Sequence, residues 1–164
     1  MKTIFILSLE NNKIFIDKSS DPHKKISKHF LGKGTEWTIK YKPETIITIF
    51  DENDNNKIDK IVRNYMYKYG IDNVRGGSYQ DFILDKDKVK KEIFIENKSC
   101  LRCGYKNHNE NDCYASKDIF DEILEVKQCY RCGRYGHIIY DCYAKRNIDG
   151  DEIDSDGYHT SDSE

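Results

Sequence analysis

All six cysteines of the chain fall in two stretches, CLRCGYKNHNENDC and CYRCGRYGHIIYDC, which share the pattern Cys-x2-Cys-x4-His-x4-Cys. A two-residue gap lets one tight turn present two thiolates to a single ion, and Zn2+ favours four nitrogen or sulfur ligands in a closed tetrahedron. The spacing therefore predicts two Cys3His sites and two Zn2+ ions per chain. Cys100, Cys103, His108 and Cys113 form the first set, and Cys129, Cys132, His137 and Cys142 the second. Four protein ligands leave no open position, so such centres are structural rather than catalytic. Other uses of cysteine fit less well. Burial as a small apolar residue, or Cys-x2-Cys redox chemistry, does not explain why a histidine and a third cysteine recur at the same offsets in a chain with five histidines. A single zinc ribbon shared by Cys100, Cys103, Cys129 and Cys132 would leave the remaining candidate ligands idle. A disulfide framework needs an oxidising compartment, and the opening MKTIFILSLENNK ends its apolar run at Glu10, too early for a secretory signal. The chain reads as intracellular, in the cytoplasm or nucleus or carried in a virion. It reads as neither secreted nor membrane-bound, since no run approaches the roughly 20 apolar residues of a membrane span.

The second stretch resembles the retroviral-type CCHC zinc knuckle beyond its ligands. Tyr130 stands where that family carries an aromatic, Gly133 and Gly136 stand where the backbone turns around the metal, and Ile138 follows the ligand histidine. The resemblance implies binding of single-stranded RNA or DNA, with an unstacked base, commonly guanine, between Tyr130 and Ile138. Arg131 and Arg134 would meet phosphates. The first stretch departs from this pattern through Leu101, Asn107 and Asn109. Asparagine tolerates a left-handed backbone, so the zinc turn survives. Leucine and asparagine offer no π-face for stacking, so the first knuckle is expected to be mainly structural.

Knuckles have little core, and residues 1–98 must supply one. Pattern gives a small α+β domain: a three-stranded antiparallel sheet with helices. TIFILSL and KIFID read as a hairpin around Glu10-Asn11-Asn12. Asp21-Pro22 opens a helix that stops at Gly32, and TIITIF reads as the third strand. After the polar DENDNN loop, Ile58, Ile61, Val62, Tyr65, Met66 and Tyr69 mark the core face of a helix over 57–69, ended by Gly70. A further helix is expected near Asp87–Glu96.

The order strand, strand, helix, strand, helix resembles the GIY-YIG nuclease domain. Phe5 of IFI and Phe15 of KIFID stand at that family's tyrosine positions, Asp17 at its YIG glycine, and Lys25 of KKISKH at its catalytic arginine. The later KYGIDNVRGGSY looks like an extension of viral and protist relatives. Phenyl rings lack the hydroxyl needed to move a proton, and lysine lacks arginine's planar fork. The glutamate that holds the family's metal has no counterpart over 57–70. These replacements imply an inactive domain, not an enzyme.

Net charge is −2, but the stretch after Ile148 carries seven acids and no lysine or arginine, which takes the remaining chain from −2 to +5. The domains so read are 1–98, a GIY-YIG-like unit; 99–114, the first knuckle; 115–128, a linker helix carrying Ile119, Phe120, Ile123 and Leu124 on one side; 129–145, the second knuckle; and 146–164, an acidic disordered tail. Binding of single strands is the leading function, a protein-interaction module the alternative, and an active nuclease the least supported.

Overall fold

The structure, a computed structural model, describes residues 2–52 and 57–153. Part of the DENDNN loop (53–56) and the tail from 154 onward lie outside the described residues. The chain divides into two compact units, Met1–Ile93 and Phe94–Glu164.

In the first unit β1 (Lys2–Leu9) and β2 (Lys13–Ser19) pair antiparallel, with Ile6 opposite Ile16 and Leu7 opposite Phe15. Glu10–Asn12 makes the connection, and Asn11 and Asn12 take left-handed φ values of 60 and 57°. β3 (Pro43–Glu52) pairs antiparallel with the other edge of β1. The expected three-stranded antiparallel sheet needs correction here. Val74–Gly76 forms a short β4 parallel to β2, so the sheet is mixed and four-stranded in the order β3-β1-β2-β4. A Cβ at Gly76 would come 1.9 Å from the Ile16 carbonyl oxygen, so the two backbones approach this closely only because residue 76 has no side chain. Arg75, only 3% exposed, fixes the segment by donating to the carbonyls of Ile71, Val74, Asp81 and Phe82, with its guanidinium 4.4 Å from the Trp37 ring centre.

β1 is the inner antiparallel strand, and its Phe5, Leu7 and Leu9 pack with Phe15, Ile26 and Trp37 into one core. Each such burial is worth about 1.5–3 kcal/mol relative to exposure. Helix α1 (Pro22–Phe30) starts as its sequence requires, with the Asp21 carboxylate accepting the Lys24 N–H and proline in the first turn. A short α2 (Glu36–Lys40), capped by Thr35, was not expected; it places Trp37 in the core. α3 (Lys57–Tyr69) lies against β2 and β4 with Ile58, Val62 and Met66 buried. α4 spans Lys86–Glu96.

The second unit is one module written twice. Every zinc ligand of the second set lies 29 residues after its counterpart, and the backbone bonds keep that offset well past the last cysteine. Gly104 N–H donates to the Cys100 carbonyl as Gly133 does to Cys129, both at 2.8 Å, and the Cys100 and Cys129 N–H groups donate in turn to the carbonyls of Tyr105 and Arg134. Beyond the knuckles, Lys117 bridges Ile123 and Arg146 bridges Glu152 as antiparallel pairs. Asp118 N–H donates to Glu122 and Leu124 to Ser116, just as Asn147 does to Asp151 and Ile153 to Lys145. Each module is thus a Cys3His loop followed by a short hairpin, over 100–124 and 129–153.

Two expectations fail on this point. The segment 115–128 contains no helix, because the Asp118 carboxylate takes the N–H groups of Phe120 and Glu122 into a local turn and Asp121 adopts φ 64°. Residues 146–153 are not part of an unfolded tail. They form the second module's hairpin, where the Asn147 side chain holds the N–H groups of Asp149 and Asp151 and Gly150 takes the turn.

Candidate metal centres and nucleic-acid interface

The first two cysteines of each set come from the tight turn, the histidine follows a second left-handed residue, and the last cysteine precedes the hairpin. All four ligand atoms of a set lie within 4.8 Å of one another, for both sets. The Sγ–Nε2 edge is 3.2 Å in each, between Cys103 and His108 and between Cys132 and His137. A tetrahedron with Zn–S near 2.3 and Zn–N near 2.0 Å has such an edge of roughly 3.5 Å, so a small expansion seats the ion. The two clusters can each hold one zinc ion, two per chain. A shared ribbon is excluded by the pairing of each Cys-x2-Cys with its own histidine and third cysteine. All six thiols are free of disulfides.

Surroundings tune the thiols. Burial raises Cys103, with the neighbouring Cys113 and Cys100 adding to it against the Tyr105 backbone, to about 12. Burial also works upward on Cys113, yet hydrogen bonds from Arg102, the Ala115 backbone and His108 draw it down to about 6. Burial likewise raises Cys132, while Cys142, against its own burial, is drawn to about 6 by the Ala144 backbone, His137 and the other thiols. Cys113 and Cys142 are therefore held toward the thiolate form that binds metal, while Cys103 and Cys132 give up their protons when a cation neutralises the cluster. Hairpin side chains close both sites: Ala115 and Leu124 pack on the first three cysteines, Ala144 and Ile153 on the second three.

An arginine ahead of the second cysteine braces each module. Arg102 donates to the carbonyls of Cys113 (3.2 Å), Ala115 (2.9 Å) and Glu125, and Arg131 donates to the Cys142 carbonyl at 2.5 Å. Arg131 is half-buried and so has a bracing contact that its sequence position did not reveal. Arg134 is exposed, with a long 3.5 Å contact to the Asn147 carbonyl. Tyr130, 92% exposed, and Ile138 line one cavity of about 380 Å3. Tyr140, 86% exposed, lines the same cavity and was missed in the sequence. Its signal was a tyrosine in a module too small to bury it. Lys145 and Arg146 are exposed on the hairpin that follows.

In the first unit the four positions picked out by the nuclease resemblance come together. Phe5 and Phe15 are fully buried, with ring centres 6.0 and 4.7 Å from that of His29. Burial lowers the His29 pKa, more than Asp17 raises it, and its Nδ1 lies 2.8 Å from the Thr38 hydroxyl. Lys25 is ion-paired with Asp17 at 2.6 Å, beside a cleft of about 550 Å3 that Lys24, Lys28 and Lys33 also line. None of the helices among the described residues is long and apolar enough to cross a membrane.

Compared with family models, with curated proteins and with solved structures, the chain matches none.

Proposed function

We propose that this zinc-binding protein binds single-stranded RNA or DNA through its second module. The supporting observation is the cavity in which Tyr130, Ile138 and Tyr140 meet. Highly exposed tyrosines cost solvation unless something covers them, and an unpaired base supplies a flat apolar face to stack on them. Arg134 and Lys145 stand exposed in the same module and supply positive charge for the backbone, with Arg146, paired to Glu152 at 3.3 Å, beside them. Arg131 reaches phosphate with the donors it does not spend on Cys142. The site of action in this reading is intracellular, where thiols stay reduced.

The first unit is, in the same proposal, a relative of GIY-YIG nucleases that has kept the architecture without the chemistry. Phe5 and Phe15 offer no hydroxyl, and Lys25 is neutralised by Asp17. Purified protein with Mg2+ or Mn2+ is expected to leave DNA and RNA intact; cutting that disappears in Lys25→Ala would reverse this reading.

The test is titration of short single-stranded oligonucleotides with zinc-loaded protein at rising salt. Binding that weakens with salt is expected, because phosphate contacts release counterions. A protein partner is the alternative. It draws support from Ile123, 83% exposed on an acid-rich hairpin where it pairs with Lys117, and absence of oligonucleotide binding would favour it.

A further inference from the structure

The cavity beside Tyr130 is not made by the second module alone. Asn111 and Asp112 of the first module line it too, together with Lys127 of the connecting segment. Asn111 occupies, at the 29-residue offset, the position of Tyr140. Asn111, which gives the first module no ring at this position, thus stands with Asp112 as a polar wall of its neighbour's slot. Three bonds hold this arrangement. Arg102 donates to the Glu125 carbonyl, the Lys127 ammonium to the Glu110 carbonyl at 3.0 Å, and the Gln128 amide to the Tyr135 hydroxyl at 2.9 Å. The connecting segment is therefore tied to both modules on either side of the cavity.

We infer that the two modules form one composite base-binding site, in which Tyr130, Ile138 and Tyr140 provide stacking and Asp112 reads the edge of the base. This inference rests on the single-strand reading given above. An ionised carboxylate only accepts hydrogen bonds. One Asp112 oxygen is bonded to the Asn109 amide at 2.5 Å, and a carboxylate keeps further acceptor capacity beyond such a bond. A base with two adjacent N–H donors on its exposed edge, as guanine has at N1 and N2, suits it best. Uracil and thymine place carbonyl oxygens on both sides of their single N–H, and those oxygens would face the carboxylate. The first module then sets base preference, and the second sets most of the affinity.

The experiment uses the full chain with two zinc ions verified in every variant. Probes are short pyrimidine oligonucleotides carrying one guanosine, one inosine or one adenosine. Wild type is expected to favour guanosine over adenosine by roughly tenfold or more, with inosine, which lacks the N2 amine, between them. Asp112→Ala should erase that preference, with guanosine, inosine and adenosine probes binding alike. Tyr130→Ala should weaken all three probes. Inserting Gly-Ser between Val126 and Lys127 touches neither module and should also erase the preference, which keeps the test open if Asp112→Ala loses zinc. A preference that survives both Asp112→Ala and the insertion sinks the composite site and leaves the single-strand reading standing on the second module. Wild type that binds without preference sinks it as well. Failure of wild type to bind any probe removes both readings together.

Discussion

The two zinc modules share a backbone and differ on its face. At equivalent positions the first has Leu101, Asn109, Glu110 and Asn111 where the second has Tyr130, Ile138, Ile139 and Tyr140. The Asn109 side chain accepts the N–H groups of Asn111 and Asp112, closing by a side chain the turn that the second module closes by backbone, from Asp141 N–H to the Ile138 carbonyl. The surroundings differ in the same sense. Gly104 is covered by Phe94 and Ile119, and Phe94 stacks on Phe120 with ring centres 6.1 Å apart; Gly133 meets only Ile148, and Phe120 is matched by Asp149. One copy is packed and polar, the other open and aromatic. Duplication of a metal-held fold frees the face of one copy to change, because the ligands alone carry most of the folding energy.

The largest effects should fall on both copies alike. Chelation is expected to unfold 100–153 while the sheet of Met1–Ile93 survives, as followed by circular dichroism and by elemental analysis giving two zinc ions before treatment. Structural zinc contributes about 10–16 kcal/mol in modules of this kind. Acid works in the same direction. Cys113 and Cys142 are held below the ordinary thiol range, so their stabilisation is present above it and lost as pH falls through about 6. Protons also compete with zinc for the thiolates. Zinc release on raising the pH, instead of lowering it, would contradict this account.

Next in size is the contrast in stacking. Tyr130→Ala should weaken single-strand binding by about 1–3 kcal/mol without releasing zinc, while Leu101→Ala costs far less. Equal losses in oligonucleotide titrations would mean that the two faces do the same work, and the contrast between packed and open copies would have no functional content.

Smaller effects test the hairpins. Leu124→Ala and Ile153→Ala each remove a side chain lying on three cysteines, and both are partly buried. About 1–2 kcal/mol is expected for each, below the roughly 2–5 kcal/mol of a fully buried site. Zinc competition with a chromophoric chelator should show a similar loss in both variants. An unchanged affinity in Ile153→Ala would return the segment after Ala144 to the status of a tail.

What was legible in the sequence divides by mechanism. The ligands were, because Zn2+ restricts both residue type and spacing. The hairpin of the first unit, α1 and α3 were, because their apolar periods and caps are local. β4 was not: Val74-Arg75-Gly76 is too short to alternate, and its pairing depends on a missing Cβ and on a buried arginine that no pattern marks. The hairpins after each knuckle were hidden for another reason. Ile119, Phe120, Ile123 and Leu124 have helical spacing, and only the side-chain bonds of Asp118 turn them elsewhere. Tyr140 escaped notice because its partner residues in the cavity come from both modules.

The smallest effect concerns the second turn of each module, where Asn107 and Gly136 both lie in the left-handed region at φ 76 and 95°. If that residue serves only the turn, the two should be interchangeable. Asn107→Gly and Gly136→Asn should each change zinc affinity by no more than about 0.5 kcal/mol, since asparagine visits this region readily and glycine trades strain for entropy. Alanine lacks asparagine's polar side chain, and should cost about 1–2 kcal/mol at either site. The comparison is clean at Gly136 because a Cβ there meets nothing within 4 Å, so no protein contact confuses backbone strain with crowding. A loss of oligonucleotide binding in Gly136→Asn at unchanged zinc affinity would therefore mean that the strand itself approaches that backbone. In that case the glycine belongs to the open face of the second module, and Asn107 is one more position at which the first module has closed it.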